Sequence, residues 1–223
     1  VVLGVWFLGP LEPVELNINF DKRVLDKDLN KYLSRIEKNF IDITTGVEKR
    51  IIWANRLGHK TPLSIIYIHG FSATSEEIRP VPDNIANILK ANLYFTRLTG
   101  HGRGSMAMAK PNVENWMSDI GEALEIGQQI GHKVIVISTS TGSTLTAAAA
   151  LNPHLSRNIA GFIFVSPNFG INNPLANVLT WPGARWWIPI VAGKMRNSTI
   201  RNKQHAKFWT TSYPTVATIP MAA

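Results

Sequence analysis

The chain has 223 residues, 45% of them hydrophobic and 17% charged, and it contains no cysteine. That is room for one domain with a sizeable core and too little for two. The composition excludes a disordered chain, and the lack of cysteine excludes disulfides, thiolate metal sites and a cysteine nucleophile. The net charge of +8 is unevenly spread: no Asp or Glu follows Glu125, whereas Lys133, Arg157, Arg185, Lys194, Arg196, Arg201, Lys203 and Lys207 do. A basic half attracts nucleic acid or anionic lipid. It carries neither a basic helix with interleaved aromatics nor zinc-finger spacing, so a nucleic-acid partner is not expected. Its acidic counterparts are expected in sequence beyond these residues.

The chain starts on Val1, and Val1 to Leu8 is apolar throughout. So short a run cannot cross a hydrocarbon core of about 30 Å. Followed by Gly9-Pro10 and by Glu12 and Glu15, residues 1–9 read as the end of a signal peptide or membrane anchor, or else as an edge strand or a disordered end. The anchor reading places the protein at a membrane or outside the cytoplasm, with membrane association through the N-terminus.

Leu25, Leu29, Leu33, Ile36 and Phe40 recur at helical spacing and predict a helix over about Lys27 to Asn39. Ile51-Ile52-Trp53 reads as a strand. Ser64 to Ile68 is a short β-branched apolar run of the kind buried on both faces of a parallel sheet, and it ends in His69-Gly70-Phe71. Ile78, Val81, Ile85 and Ile88 predict a helix, with Thr74 or Ser75 as its cap. Leu93-Tyr94-Phe95 is a further strand, followed by the turn Gly100-His101-Gly102. Asn112 is placed to cap the next helix, whose inward stripe is Val113, Trp116, Ile120 and Leu124. Val134 to Ile137 is a third buried strand, running into Ser138-Thr139-Ser140-Thr141-Gly142 and an alanine-rich helix; Phe162 to Val165 is a fourth. Alternation of strands and helices from Ser64 to Val165 means a parallel sheet covered on both faces, with its chemistry at the carboxyl ends of the strands.

The pentapeptide at Ser140 has the features of a nucleophile elbow: a serine on a tight strand-to-helix turn, a glycine on the helix side, and a small residue, Ser138, where the pattern prefers glycine. The same residues also fit an ordinary turn with a capping serine. The His69-Gly70-Phe71 loop favours the first, because in such a fold the loop after that strand and the residue after the nucleophile each present an N–H to an oxyanion. Those residues are Phe71 and Thr141.

Together, Tyr67-Ile68-His69-Gly70-Phe71-Ser72-Ala73, Leu98-Thr99-Gly100-His101-Gly102, the Trp116/Asp119 helix and the Ser140 elbow resemble the α/β-hydrolases of the carboxylesterase and monoacylglycerol-lipase type, over roughly Glu48 to Asn168. The resemblance implies an α/β-hydrolase fold and ester hydrolysis through an acyl-enzyme on Ser140, with no cofactor and no metal. The substrate would be a small ester with an apolar acyl group. It makes His69 and His101 structural and Asp119 a scaffold acid.

The family's order is serine, then acid, then histidine. After Ser140 there is no acid, and the histidines are His154 and His205. Asn168 stands where a few relatives place the acid. The C-terminal strands are therefore expected to be missing, together with the triad acid and histidine. This divides the chain into a core over 10–170 and a cap over 171–223, whose Trp181, Trp186, Trp187, Ile188, Ile190 and Val191 fit an acyl pocket or an amphipathic helix packed on the core. A non-catalytic binding protein and an acyltransferase on the same fold are the rival readings. Gly100 to Gly104 lacks the spacing of a dinucleotide loop, and Asn197-Ser198-Thr199 matches a glycosylation acceptor by a pattern that recurs by chance.

Overall fold

The computed structural model describes residue 4, residues 8–172 and residues 174–223. Of the apolar start, residues 1–3 and 5–7 lie outside the described residues, and so does most of the anchor expectation. No helix among the described residues is long and apolar enough to cross a membrane.

Helix α1 (Leu29–Glu37) begins where Asp28 accepts the N–H groups of Asn30 and Lys31, satisfying amides that the first helical turn leaves unpaired. After β1 (Arg50–Ile52) and β2 (Thr61–Ile68) comes α2 (Val81–Leu89). This helix starts later than the sequence suggests, and neither Thr74 nor Ser75 caps it. Pro82 lies in its first turn, where a missing N–H costs nothing. Thr74 instead accepts the Glu76 N–H, and Ser75 accepts Arg50 Nη1. Residues 69–80 thus form a long loop between β2 and α2. β3 (Asn92–Phe95), α3 (Val113–Ile130), β4 (Gly131–Thr139), α4 (Thr141–Ala150), α5 (Pro153–Ser156) and β5 (Ile159–Val165) follow. Asn112 caps α3 as expected, in a reciprocal pair with Asn115.

The strands lie in the order β1-β3-β2-β4-β5. β1 is antiparallel to β3 and all other pairings are parallel. Side chains alternate across a strand, so the central β2 feeds both faces. Ile66 and Ile68 join the α3 stripe of Trp116, Ile120 and Leu124 and the α1 residues Leu29 and Leu33. Ile65 and Tyr67 join Leu93, Phe95, Ile137 and Ala86 of α2 on the other face. Each such buried side chain contributes about 1.5–3 kcal/mol. β5 is different: among the described residues it pairs with β4 alone, and Ile163 and Phe164 stay 45% and 37% exposed. Among the described residues β5 is thus an edge strand with exposed apolar side chains, a surface open to further pairing.

Beyond β5 the chain forms a 3₁₀ segment (Pro174–Thr180), α6 (Ala184–Val191), β6 (Met195–Asn197), α7 (Lys203–Phe208), β7 (Ser212–Pro214), a second 3₁₀ turn (Thr215–Thr218) and α8 (Ile219–Ala222). β6 and β7 make a two-stranded antiparallel ribbon that the sequence does not announce. All three residues of β6 are exposed, so no hydrophobic alternation marks it. Glu12 binds Arg185 of α6 through two bonds of 2.6 Å, and the Gly183 N–H donates to Pro10 O. One cation of the basic half therefore finds its acid within this chain, contrary to the expectation from charge distribution.

Candidate active site

Ser140 lies between β4 and α4 at φ 50°, ψ −121°. A non-glycine residue at positive φ is uncommon, and holding it there costs about 1–3 kcal/mol. Backbone bonds on both sides impose it. The Ser140 N–H donates to Val165 O, and Ser140 O accepts from the N–H groups of Ser143, Thr144 and Asn168. The turn is tight enough to exclude any side chain at Gly142: a β-carbon there would lie 2.5 Å from His69 O and 2.8 Å from Ile68 O. Ser138 fits where a glycine was preferred, fully buried at the end of β4.

The serine is thereby lifted between the N-terminus of α4, whose dipole favours negative charge, and the loop after β2. The two elements touch, since a β-carbon on Gly70 would sit 3.1 Å from Ser140 Cβ. Among the described residues the Ser140 hydroxyl forms no hydrogen bond, and neither the Phe71 N–H nor the Thr141 N–H donates one.

Residues 60–219 match the family model described as serine aminopeptidase, S33. The chain belongs to this family of α/β-hydrolases. Among solved structures, it is similar to one of the metagenome-derived lipolytic enzymes LipS and LipT, at 18% identity and a TM-score of 0.62, over 81% of this chain and 69% of that one. It is also similar to a soluble variant of monoglyceride lipase from Saccharomyces cerevisiae, at 13% identity and a TM-score of 0.50, over 78% of this chain and 64% of that one. At such identities the likeness is one of fold. No curated protein matches the chain.

In this hydrolase His69 is fully buried, with Nδ1 facing Gly70 O at 2.9 Å and Nε2 accepting the Leu98 N–H at 3.1 Å. Burial, with His101 beside it, holds its pKa well below the ordinary histidine value. It acts as a neutral strut between the end of β2 and the loop after β3. His101 packs its ring against His69, Phe71 and Trp116, and burial pushes its pKa down to about 4. Asp119 accepts the Thr99 N–H and pairs with Lys49; Lys49 is also bound by Glu122. These residues brace the scaffold.

The histidines after Ser140 are not brought to it. His154 is exposed on α5. His205 accepts the Arg201 N–H and packs its ring, tilted, against Trp209, 5.2 Å between centroids. Asn168 does reach the turn, through its N–H to Ser140 O and its carbonyl to Thr144 Oγ1, while its side chain turns to Met221 Sδ.

A cavity of about 550 Å³ lies among the residues after β5, lined among others by Ile171, Leu179, Trp187, Ile188, Tyr213 and Met221; neither Ser140 nor Phe71 nor Thr141 lines it. Two of its lining residues touch neighbours of the site: Met221 Sδ accepts from Asn168 Nδ2, and the Tyr213 ring packs 5.3 Å from that of Phe71. Trp187, Ile188 and Val191 line it, whereas Trp186 and Ile190 of the same helix face outward. The helix thus presents apolar side chains both to the cavity and to solvent.

One residue at the site went unrecognised in the sequence. The Glu77 carboxylate accepts the Gly70 N–H at 2.8 Å and the Tyr67 hydroxyl at 2.9 Å. Burial raises its pKa above the ordinary glutamate value. Its neighbour Glu76 points outward to Arg50 and Arg79, and nothing in a Glu-Glu pair tells which one turns inward.

Proposed function

We propose that this hydrolase cleaves carboxylic esters carrying an apolar acyl group, through an acyl-enzyme on Ser140. The backbone of Ser140 carries the reading. A strained turn is kept only where the surrounding structure over-determines it, and such turns cluster at active sites. Among the described residues the Ser140 hydroxyl and the amides of Phe71 and Thr141 make no hydrogen bond, which supports reading them as nucleophile and oxyanion donors. Ser140 Oγ attacks the ester carbonyl and gives up its proton to a histidine base. The developing oxyanion takes the Phe71 and Thr141 N–H groups. The C–O bond breaks, the alcohol leaves with a proton, and water then hydrolyses the acyl-enzyme. The mechanism requires a histidine and an acid that none of the described residues supplies at Ser140.

Residues 171–223 act as the cap in this reading, and the cavity beside Tyr213 and Met221 receives the acyl chain. The family description favours a second reading, hydrolysis at the amino terminus of a peptide. That chemistry needs an anion to hold the substrate ammonium. The cavity lining contains no acid and includes Arg196, which supports the ester.

A fluorophosphonate probe applied to the protein expressed from its complete reading frame tests the proposal. Labelling is expected on Ser140, with none in Ser140→Ala. Labelling that persists in Ser140→Ala defeats the assignment, and absence of both labelling and ester turnover in the wild type points to a non-catalytic binding protein.

A further inference from the structure

Glu77 is a half-buried carboxylate that meets hydroxyl and amide donors instead of a cation. The nearby guanidinium groups are engaged elsewhere, Arg50 with Glu76 and Arg79 with Glu76 and Asp83. Tyr67 donates its hydroxyl to Glu77, and Thr139 Oγ1 lies 3.1 Å from the same Tyr67 oxygen and against the carboxylate. Removing a carboxylate from water without a counter-ion is expensive. In a fold selected only for stability, a neutral or apolar residue is the cheaper choice here.

The placement explains the retention. Gly70 and Thr139 are the residues on either side of the candidate chemistry: Gly70 precedes Phe71 and Thr139 precedes Ser140. A β-carbon on Gly70 would lie 3.0 Å from Glu77 Oε1 and 3.1 Å from Ser140 Cβ, so only the missing side chain of Gly70 separates carboxylate from serine. By taking the Gly70 N–H, Glu77 fixes the orientation of that peptide and holds the loop after β2 against the end of β4. The next amide, that of Phe71, is left free.

We infer that Glu77 is a positioning residue for catalysis: its carboxylate clamps the His69–Gly70 peptide, the one immediately before the Phe71 amide, onto the Ser140 turn so that the Phe71 N–H meets the oxyanion. The inference rests on the reading of Ser140 as the nucleophile. A loop that drifts by about an ångström at the reacting centre loses on the order of 100-fold in rate, while binding of an acyl chain in a separate cavity is untouched.

The test is the kinetics of fluorophosphonate labelling on the complete protein, resolved into a binding constant and a maximal rate constant and scaled to the folded fraction read by circular dichroism. Glu77→Ala is expected to label about 100-fold more slowly at saturating probe, with an unchanged binding constant. Glu77→Gln keeps the shape and one acceptor oxygen and so is the variant sure of folding; it is expected to recover most of the loss, staying within about tenfold of wild type. A purely structural role would lower the folded fraction and leave the rate constant of the folded molecules at the wild-type value, and that result overturns the inference. Loss confined to the binding constant overturns it as well. If wild type is not labelled at Ser140, the nucleophile reading itself falls and carries this one with it; labelled wild type with unaltered Glu77 variants removes the clamp alone.

Discussion

The carbonyl oxygen of His69 occupies the space that a side chain on Gly142 would need. A β-carbon there would stand 2.5 Å from this oxygen and 2.8 Å from Ile68 O, and both are backbone atoms that cannot turn aside. The start of α4 can therefore lie against the end of β2, and the serine two residues before Gly142 shares a wall with the loop that carries Phe71.

Gly142→Ala tests that packing. Alanine favours a helix over glycine by about 1 kcal/mol, so helix propensity alone predicts stabilisation. The contact with two carbonyls decides otherwise, because overpacking of this kind costs about 1–3 kcal/mol and shifts backbone. The variant is expected to unfold at lower urea concentration and to lose Ser140 labelling beyond its loss of stability. A variant more stable than wild type would mean that the two elements separate without cost.

Ser140 is expected to trade stability for its geometry. At φ 50°, ψ −121° it stores about 1–3 kcal/mol that glycine avoids, while glycine's extra freedom in the unfolded chain returns about 0.4–1 kcal/mol of that gain. Ser140→Gly should thus be about 1 kcal/mol more stable than wild type by urea denaturation. Ser140→Ala keeps the strained backbone and should not share the gain. Equal stabilities for the two variants would show that the turn is unstrained.

How much of this arrangement the residues announce depends on what selects each one. The runs Ser64 to Ile68 and Val134 to Ile137 are legible because a strand buried on two faces tolerates only apolar residues, and those strands are central in the sheet. The Ser140 turn is legible because backbone approach demands glycine at 142. Thr74 and Ser75 mislead because a hydroxyl suited to a helix cap serves equally in a loop, where Ser75 binds Arg50. Glu77 is hidden for a related reason: only the path of the loop between β2 and α2 decides which of two adjacent glutamates meets Gly70. The β6–β7 ribbon is silent because its first strand is exposed throughout, so burial imposes no alternation on it.

The acyl-chain role of the cavity predicts a change in substrate preference without loss of reactivity. Ala192 lines the cavity and is exposed at its mouth. Ala192→Phe should narrow the space while leaving the Ser140 turn intact. A pocket contact is worth about 1–3 kcal/mol, so kcat/KM for p-nitrophenyl decanoate should fall at least tenfold, with p-nitrophenyl acetate unchanged. A parallel fall for both esters would move the acyl site elsewhere.

The last prediction concerns the buried pair beneath the Gly100-His101-Gly102 turn. Arg97 grips Glu37 through bonds of 2.8 and 2.9 Å and donates a third, of 3.0 Å, to His101 O. Burial alone would raise the Glu37 pKa, but the Arg97 hydrogen bonds and charge outweigh it and hold the carboxyl below the ordinary glutamate value. A carboxylate depressed in the folded state contributes stability that is present above its unfolded pKa of about 4.3 and is lost as the pH falls through the folded value. Wild type should therefore lose stability on acidification below about pH 4. Arg97→Met removes the partner and leaves a buried charge, at a cost of about 3–5 kcal/mol at pH 7. The pH dependence should then reverse. Burial, the largest influence on Glu37, is then opposed only by the Lys49 N–H bond and the Lys49 charge; the folded-state pKa is expected to rise above the unfolded one, so the Glu37 contribution is present at low pH and lost as the pH climbs. Urea midpoints at pH 5 and pH 7 read this directly: the variant should be closer to wild type at pH 5. A gap between the two proteins that is equal at both pH values would show that Glu37 does not depend on Arg97 for its charge.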